Sequence, residues 1–375
     1  MKILITGASG FIGSFIVEEA LRRGMETWAA LRGSSSKQYL QNGDIHFIEL
    51  NLSDQSQLEQ QLRGKDFDYV VHAAGVTKCL NTDDFYRINC EGTKNLVRAI
   101  QAVKMPLKKF VYLSSLSVYG AIREQQPYEP IRESDTPQPN TDYGRSKLLA
   151  ERFLDSLECR NESVECRTES VEFATAIPSA QPADAVANST LSTLSSKLST
   201  QNPPFPYVIL RPTGVYGPRE RDYFLMAKSI KQHSDFAVGY RRQDITFVYV
   251  QDVVQAVFLA CEKGKTGRKY FLSDGEVYQS TTFSDLIRRE LGNPWWIRIT
   301  APIWVLRVVT FFGDWIGHLT GKISALNNDK YHILRQRNWR CDIQPAIDEL
   351  GYKPEYTLER GVPLTIKWYK DNGWL

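Results

Sequence analysis

Lys2-Ile-Leu-Ile-Thr6 runs directly into Gly7-Ala-Ser-Gly10-Phe-Ile-Gly13, then into Ser14-Phe-Ile-Val-Glu-Glu-Ala-Leu-Arg-Arg23 and Gly24. The first run is short, apolar and β-forming. The last has helical apolar spacing and is closed by glycine. Strand, glycine turn and helix come in the order a dinucleotide site requires. Gly7 permits the tight turn, Gly10 lets the backbone approach a pyrophosphate, and Gly13 lets the helix pack close to the strand. The helix N-terminus offers free N–H groups and a positive dipole to an anion. The spacing is G-x-x-G-x-x-G rather than G-x-G-x-x-G.

Further along lies Tyr143-Gly-Arg-Ser-Lys147, followed by Leu148-Leu-Ala-Glu-Arg-Phe-Leu154. Apolar spacing and strong helix formers predict a helix here. Residues four apart share a helix face, so the phenol and the ammonium are neighbours. Tyrosine normally titrates near ~10, and an adjacent cation favours phenolate. Bringing it to about 7 takes ~3 units, which Lys147 and a cationic nicotinamide ring are expected to supply together.

The glycine motif at 7–13 and the downstream Tyr143/Lys147 pair resemble the extended short-chain dehydrogenase/reductases, the NAD-dependent epimerase/dehydratase superfamily. The likeness runs from Met1 to the C-terminus, apart from one insertion. It implies an α/β fold, a Rossmann doubly wound parallel sheet with a smaller, discontinuous C-terminal substrate lobe. The implied division is 1–154 for the NAD(P)-binding Rossmann domain and 155–204 for a low-complexity, disordered insertion. Residues 205–272 complete the Rossmann domain and include a first substrate-lobe segment at about 219–243. Residues 273–375 form the substrate-binding lobe and C-terminal helix.

The second strand, Thr27-Trp-Ala-Ala-Leu31, ends at Arg32, followed by Gly33-Ser-Ser-Ser-Lys37. An acidic residue there would bind the adenosine ribose of NAD. A guanidinium suits a 2′-phosphate, so NADP is the expected cofactor and NAD the alternative. After the strand His46-Phe-Ile-Glu-Leu50, the family's usual aspartate is Asn51, whose amide can still meet adenine. The strand from Asp68 ends in His72-Ala73-Ala74-Gly75, small residues that in the family face the cofactor, with His72 structural. Asn89 opens a helix running to about Val103 and orders its active-site end. Phe110 to Gly120 reads as one strand. Its Val118-Tyr119-Gly120 places Ser115 as the catalytic hydroxyl beside Tyr143. The resemblance also assigns Ser9, Phe11, Ile12, Leu52, Ser114, Pro212, Thr213 and Val215 to the cofactor, together with Gly7, Gly10, Gly13, Tyr143 and Lys147. The Asp-Glu pair of the family's dehydratases is Leu116-Ser117 here, which removes the acid and base for elimination. Asp244 to Val254 matches the family's final Rossmann strand and helix, and Lys269-Tyr-Phe-Leu272 is a further short strand.

Composition bounds the rest. The chain has 375 residues, 42% hydrophobic content and a net charge of +3. That allows a large core and makes no case for nucleic acid. Six scattered cysteines and five histidines form no metal or disulfide pattern. A strand starting at Lys2 leaves no room for a signal peptide, so the cytoplasm is expected. Glu158-Cys-Arg-Asn-Glu-Ser-Val is repeated almost unchanged as Glu165-Cys-Arg-Thr-Glu-Ser-Val. A tract rich in Ser, Thr, Ala, Pro and Gln follows, a composition that cannot bury a core. Deletion of roughly Asn161 to Gln201 is therefore expected to be tolerated. Residues 295–326 are Trp-rich but too charged and broken to span a bilayer. They suit an apolar substrate cleft or peripheral membrane contact.

The expected chemistry is hydride transfer between nicotinamide C4 and a secondary alcohol or ketone. Tyr143 is the acid/base, Lys147 its modulator, Ser115 the positioner of the carbonyl and Asn89 the support of the proton relay. Arg211-Pro-Thr-Gly-Val-Tyr-Gly-Pro218 looks most like the 3β-hydroxysteroid dehydrogenase and dihydroflavonol reductase branch. It puts Gly214 where nucleotide-sugar epimerases carry a diphosphate-binding Asn. The expected substrate is thus small and apolar, sterol- or flavonoid-like. The alternative is a nucleotide-sugar 4-epimerase with tightly held NAD, for which Arg219, Arg221, Arg241 and Arg242 could bind phosphates. A cofactor-bound scaffold without turnover is the third reading. A homodimer is expected, and no metal.

Overall fold

The computed structural model describes residues 1–158, 204–320 and 328–375. The first half winds through β1 (Lys2–Thr6), α1 (Phe11–Arg22), β2 (Glu26–Leu31), β3 (His46–Glu49), α2 (Gln55–Leu62) and β4 (Tyr69–His72). Then come a short α3 (Asp83–Phe85), a π-helical segment at Tyr86–Glu91, α4 (Gly92–Ala102), β5 (Lys109–Leu113) and α5 (Asp142–Glu158). The second half continues with β6 (Tyr207–Pro212), β7 (Gly214–Tyr216), α6 (Arg221–Lys231), β8 (Ser234–Val238), β9 (Asp244–Ile245) and β10 (Phe247–Tyr249). It proceeds through α7 (Val250–Lys263), β11 (Lys269–Leu272), β12 (Tyr278–Gln279), α8 (Thr282–Glu290) and β13 (Ile297–Ala301). It ends with α9 (Ile303–Thr320), α10 (Asn328–Arg335), a π-helical turn at Ala346–Leu350 and α11 (Leu358–Asp371).

Seven strands form one parallel sheet in the order β11-β6-β5-β4-β1-β2-β3. The central strands β1, β4, β5 and β6 are covered on both faces and read as near-continuous apolar runs, while edge strand β3 is mostly exposed. Successive side chains feed two separate cores: Ile3 and Ile5 enter one, Leu4 the other. The chain leaves β1 toward β2 and β3, then returns to β1's other side as β4. That reversal makes the carboxyl ends of β1 and β4 the topological switch point, where open α/β sheets bind ligands. Outside this sheet lie three two-stranded pairs, β7 with β10, β9 with β12 and β8 with β13. Among the described residues no helix is long and apolar enough to cross a membrane.

Several boundaries differ from the sequence expectation. Phe110 to Gly120 is not one strand; β5 stops at Leu113, and Leu116–Val118 is a 3-10 turn. The Ser115 hydroxyl accepts from Ser117 N, a local bond that competes with strand pairing. The helix expected to open at Asn89 begins earlier, and Asn89 lies within the π segment. Phe247–Tyr249 is not the final strand of the large sheet. It pairs with β7, while buried Tyr270, Phe271 and Leu272 place β11 beside β6. Residues 155–158 belong to α5 rather than to the insertion. Asp155 accepts from Tyr207 Oη and pairs with Lys269 Nζ at 2.7 Å. The tandem repeat, most of the low-complexity tract and the proposed deletion lie outside the described residues. Residues 273–375, expected as substrate-binding lobe and C-terminal helix, include a stretch that packs into the sheet's core. Ile343, Ala346, Leu350, Leu358, Val362, Ile366 and Tyr369 return to the same core as Ile3 and Ile5.

Candidate active site

The glycine turn sits at the switch point. Gly7 has φ +70, and a Cβ there would lie 2.6 Å from Ala74 N. A Cβ on Gly13 would fall 2.1 Å from Gly7 O, so α1 and the turn touch through backbone. Ser9, Gly10, Phe11 and Ile12 lie at the mouth of this turn, none of them buried. No side chain caps α1 at Gly10, so its first N–H groups remain available to an anion. At the carboxyl end of β6, Thr213 Oγ1 is buried without a partner among the described residues. An uncapped helix start, a backbone cradle and an orphaned hydroxyl together fit a dinucleotide.

Arg32 and Asn51 end β2 and β3 on the far side of the switch point. Arg32 is exposed, and its backbone N–H is capped by Ser35 Oγ. Asn51 Oδ1 accepts from Ser53 N, and Leu52 is half-buried beside Gly92. The structure adds a residue the sequence reading passed over. A Cβ on Gly33 would lie 3.0 Å from Glu49 Oε1, so a carboxylate stands beside the residue after Arg32.

Asn89, Gly75, Ser115, Tyr143 and Lys147 come together where β4, β5 and α5 converge. Asn89 is fully buried. Its Oδ1 accepts from Val76 N at 2.8 Å, and its Nδ2 donates to Val76 O and Ser146 Oγ. The π segment thus carries an amide that fastens the loop after β4 to α5, a common use of π-bulges at functional sites. A Cβ on Gly75 would lie 3.0 Å from Asn89 Oδ1 and 3.1 Å from Lys147 Nζ. Any larger residue would push the lysine aside.

Tyr143 lies in the first turn of α5, its ring edge-on to Phe85 at 6.3 Å. Asp329 of α10 accepts from the N–H groups of Asp142 and Tyr143, so a carboxylate from a remote segment caps this helix. Burial pushes the Tyr143 phenol up to about 12, with the Ser115 hydroxyl pulling the other way. Lys147 is held down at about 8 by burial, against the pull of Glu151. Its Nζ donates to Leu113 O at 2.8 Å and lies over the Tyr112 ring. The expected lowering of the tyrosine by Lys147 is therefore not produced by the chain's own groups.

Behind Lys147 runs a buried charge pair. Arg211 Nε and Nη2 donate to the Glu151 carboxylate at 3.1 and 2.5 Å, and Nη1 donates to Tyr119 Oη. Burial raises the Glu151 carboxyl, but Arg211 brings the net shift below the usual value. Glu151 follows Lys147 by four, a spacing visible in the sequence but not used there. His72 is a structural group in its contacts. Thr93 Oγ1 donates to Asn89 O, so His72 Nε2 donates to Thr93 and its Nδ1 accepts from Thr6. Burial, then Lys147, lowers His72 to about 3.

Arg219 does not stand ready as a phosphate ligand. It donates to Ser14 Oγ and Glu18, and lies over Phe15 and Tyr39. Asp222 on α6 instead sits between Lys78, from the loop after β4, and Lys330 of α10. Next to α10 opens a cleft of about 510 Å³ lined by Glu124, Arg241, Ile303, Trp304, Arg307, Tyr331, Arg335 and Arg337. Arg337 is 8% exposed. Its guanidinium donates to Arg241 O, and no carboxylate pairs with any of the four arginines among the described residues. No group of His, Cys, Asp and Glu among the described residues could hold a metal.

Residues 3–168 and 187–273 match the model of the NAD dependent epimerase/dehydratase family. The mouse dTDP-D-glucose 4,6-dehydratase is 23% identical over 389 residues, spanning 99% of this chain and 89% of its own. The zebrafish short-chain dehydrogenase/reductase family 42E member 1 is 26% identical over 396 residues, covering 99% and 89%. The fold is similar to that of UDP-glucose 4-epimerase from Thermotoga maritima, solved with UDP-glucose. The TM-score is 0.69 at 21% identity, covering 99% of each chain. Family match and parallel sheet agree, and the chain belongs to the NAD dependent epimerase/dehydratase family, as an enzyme of the extended short-chain dehydrogenase/reductase type.

Proposed function

We propose that the chain is an NAD(H)-dependent epimerase-type enzyme acting on a secondary carbinol of a nucleotide-activated sugar. The observation that carries this is the cleft beside α10. Four guanidiniums without acidic partners face one carboxylate there, next to Trp304 and Tyr331. A diphosphate answers such a surplus of donors, and an aromatic ring can stack on a base. The same helix α10 supplies Tyr331 to the cleft and Asp329 to the cap of the turn that holds Tyr143. The sugar-nucleotide relatives point the same way.

Bound NAD(H) would supply the hydride acceptor and donor. Once ionised, Tyr143 would take the carbinol proton at its Oη and return it when the ketone is reduced. Ser115 hydrogen-bonds the carbinol oxygen and steadies that transfer. Lys147 binds the nicotinamide ribose, and Asn89 holds the loop and helix that present these groups. Leu116 and Ser117 offer no carboxylic acid and carboxylate, which argues against elimination of water.

An apolar ketone is the second reading, favoured by Gly214. A Cβ there would lie 2.9 Å from Tyr223 Oη and 3.2 Å from the Phe247 ring. The diphosphate-binding Asn of the sugar epimerases therefore has no room at this position. UDP- and dTDP-sugars and apolar ketones, assayed in parallel for interconversion and net NADH change, separate the two. Sugar interconversion without net cofactor turnover is expected. Turnover on apolar ketones alone would overturn the sugar reading.

For the cofactor, Glu49 beside Gly33 disfavours a 2′-phosphate more than Arg32 alone would suggest, and NAD is the better fit. Titration should show NAD binding at least as tightly as NADP. Glu49→Gln should shift preference toward NADP by about one to two decades, given ~1.5–3 kcal/mol for a bond to a charged group. Tighter NADP binding by the unaltered protein would restore the Arg32 assignment.

A further inference from the structure

The β8–β13 pair is built inside out. Its register sets Asp235 beside Arg298 and Phe236 beside Ile299. The charged pair faces inward. Asp235 is buried and accepts from Arg298 Nε at 2.7 Å, while Arg298 Nη2 reaches Ser284 and Asp285 of α8. The apolar side faces out, with Phe236 65%, Ile297 60% and Ile299 46% exposed. A solvent-washed sheet would place these the other way round. Trp295, Tyr240, Trp304, Val308 and Val309 extend the exposed apolar set on the flanking segments. Single exposed apolar residues are ordinary, but a concentration on one small lobe marks a contact surface.

Charge identifies the partner. Lys231, Arg241, Arg307 and Arg335 are exposed and make no ion pair among the described residues. The acidic groups of β8, β13 and α8 are already used. Asp235 and Asp285 pair with Arg298, and Glu290 pairs with Arg289. The surface is therefore apolar in the middle, aromatic at its margins and cationic around it. Trp and Tyr favour the level of lipid headgroups, and cations favour anionic lipid. A twofold contact between copies would instead bring the same cations together. No described helix can span a bilayer, so the contact lies on the membrane plane.

We propose that the face formed by Phe236, Ile297 and Ile299, with its rim of arginines and Lys231, docks on an anionic lipid surface. Trp304, exposed three residues beyond the end of β13, lines the arginine cleft, so the cleft follows directly on this face in the chain. The inference shares Arg241, Arg307 and Arg335 with the diphosphate reading, so the test is made on the apolar face, which that reading does not use.

Co-sedimentation of the full chain with phosphatidylglycerol–phosphatidylcholine vesicles, and with phosphatidylcholine alone, tests it. The unaltered protein should pellet with the anionic vesicles, weakly with the neutral ones, and less as salt rises. The triple variant Phe236→Ser, Ile297→Ser, Ile299→Ser should lose roughly tenfold or more in partitioning. Its melting temperature and turnover on soluble substrate should be unchanged. The proposal is overturned if the unaltered protein stays in the supernatant, if the triple variant pellets equally well, or if neutral vesicles bind as strongly. It is also overturned if the three substitutions dissolve a dimer that never binds vesicles.

Discussion

At the scale of single residues, the tyrosine and lysine titrate in an unexpected order. Burial holds Tyr143 near 12 and Lys147 near 8, so at neutral pH the phenol carries its proton and the ammonium its charge. In the reductive direction of the proposed reaction Tyr143 would then already be the acid. Tyr143→Phe removes that proton and keeps the ring. Turnover should fall by about 10²–10⁴, with the NAD(H) dissociation constant little changed. Near-normal turnover would eliminate Tyr143. The lysine predicts the pH limb. Reductive turnover should hold below pH about 8 and decline above it, as Lys147 loses its charge. Its contribution to stability has the opposite sign. Its folded pKa is lowered, so between about 8 and ~10.4 the unfolded chain binds more protons and stability rises with pH. A rate profile flat through pH ~10 would show that the lysine charge is not needed.

At the scale of elements, α5 acts as a rail of polar groups spaced by one turn. Tyr143, Lys147 and Glu151 follow each other at the helical repeat, and Arg211 of β6 closes the end of the row. Lys147 feels the Glu151 carboxylate, so the pair raises the lysine's affinity for its proton as well as joining helix to sheet. Removing one member leaves a buried charge uncompensated. Glu151→Gln should destabilise by about 3–5 kcal/mol, measured by denaturant unfolding. Glu151→Leu with Arg211→Met should recover much of that loss, because the desolvation cost disappears with both charges. Equal losses in the single and double variants would show no coupling across the pair.

At the scale of the molecule, the last segment belongs to the sheet's own core. Tyr369 Oη donates to Glu220 O at 2.7 Å, and its ring stacks on Trp374. Tyr216 Oη donates to Thr357 O. Leu358, Val362, Ile366 and Tyr369 are buried, worth roughly 6–12 kcal/mol at ~1.5–3 kcal/mol each. Total stabilities run to about 5–15 kcal/mol. A chain ending at Tyr356 should therefore be insoluble or unfolded by circular dichroism. A folded truncation with a free substrate lobe would restore the boundary expected at residue 273.

Periodicity and glycine placement carried the first strand, the glycine turn and the Tyr143 helix, because these depend on contacts within a few residues; the parallel sheet was expected from the family resemblance. Lys2 to Gly13 specifies a strand, a turn and a helix start locally, and the family likeness rests on those same residues. The sequence puts Ser115, Asn89 and Lys147 with Tyr143 and assigns Gly75 to the cofactor, but it does not show that Lys147 turns to the Leu113 carbonyl. The rest depended on segments far apart in the chain. Asp329 caps α5 across 186 residues. Glu49 reaches Gly33 only because β2 and β3 lie side by side. Phe247–Tyr249 lost its place in the large sheet to β11 because the two runs read alike and only packing against β6 distinguishes them. In the inverted pair, β13 reads in sequence as an ordinary alternating strand, Ile297-Arg-Ile-Thr-Ala301. Which of its faces meets solvent was decided by α8, whose carboxylate and hydroxyl draw Arg298 inward.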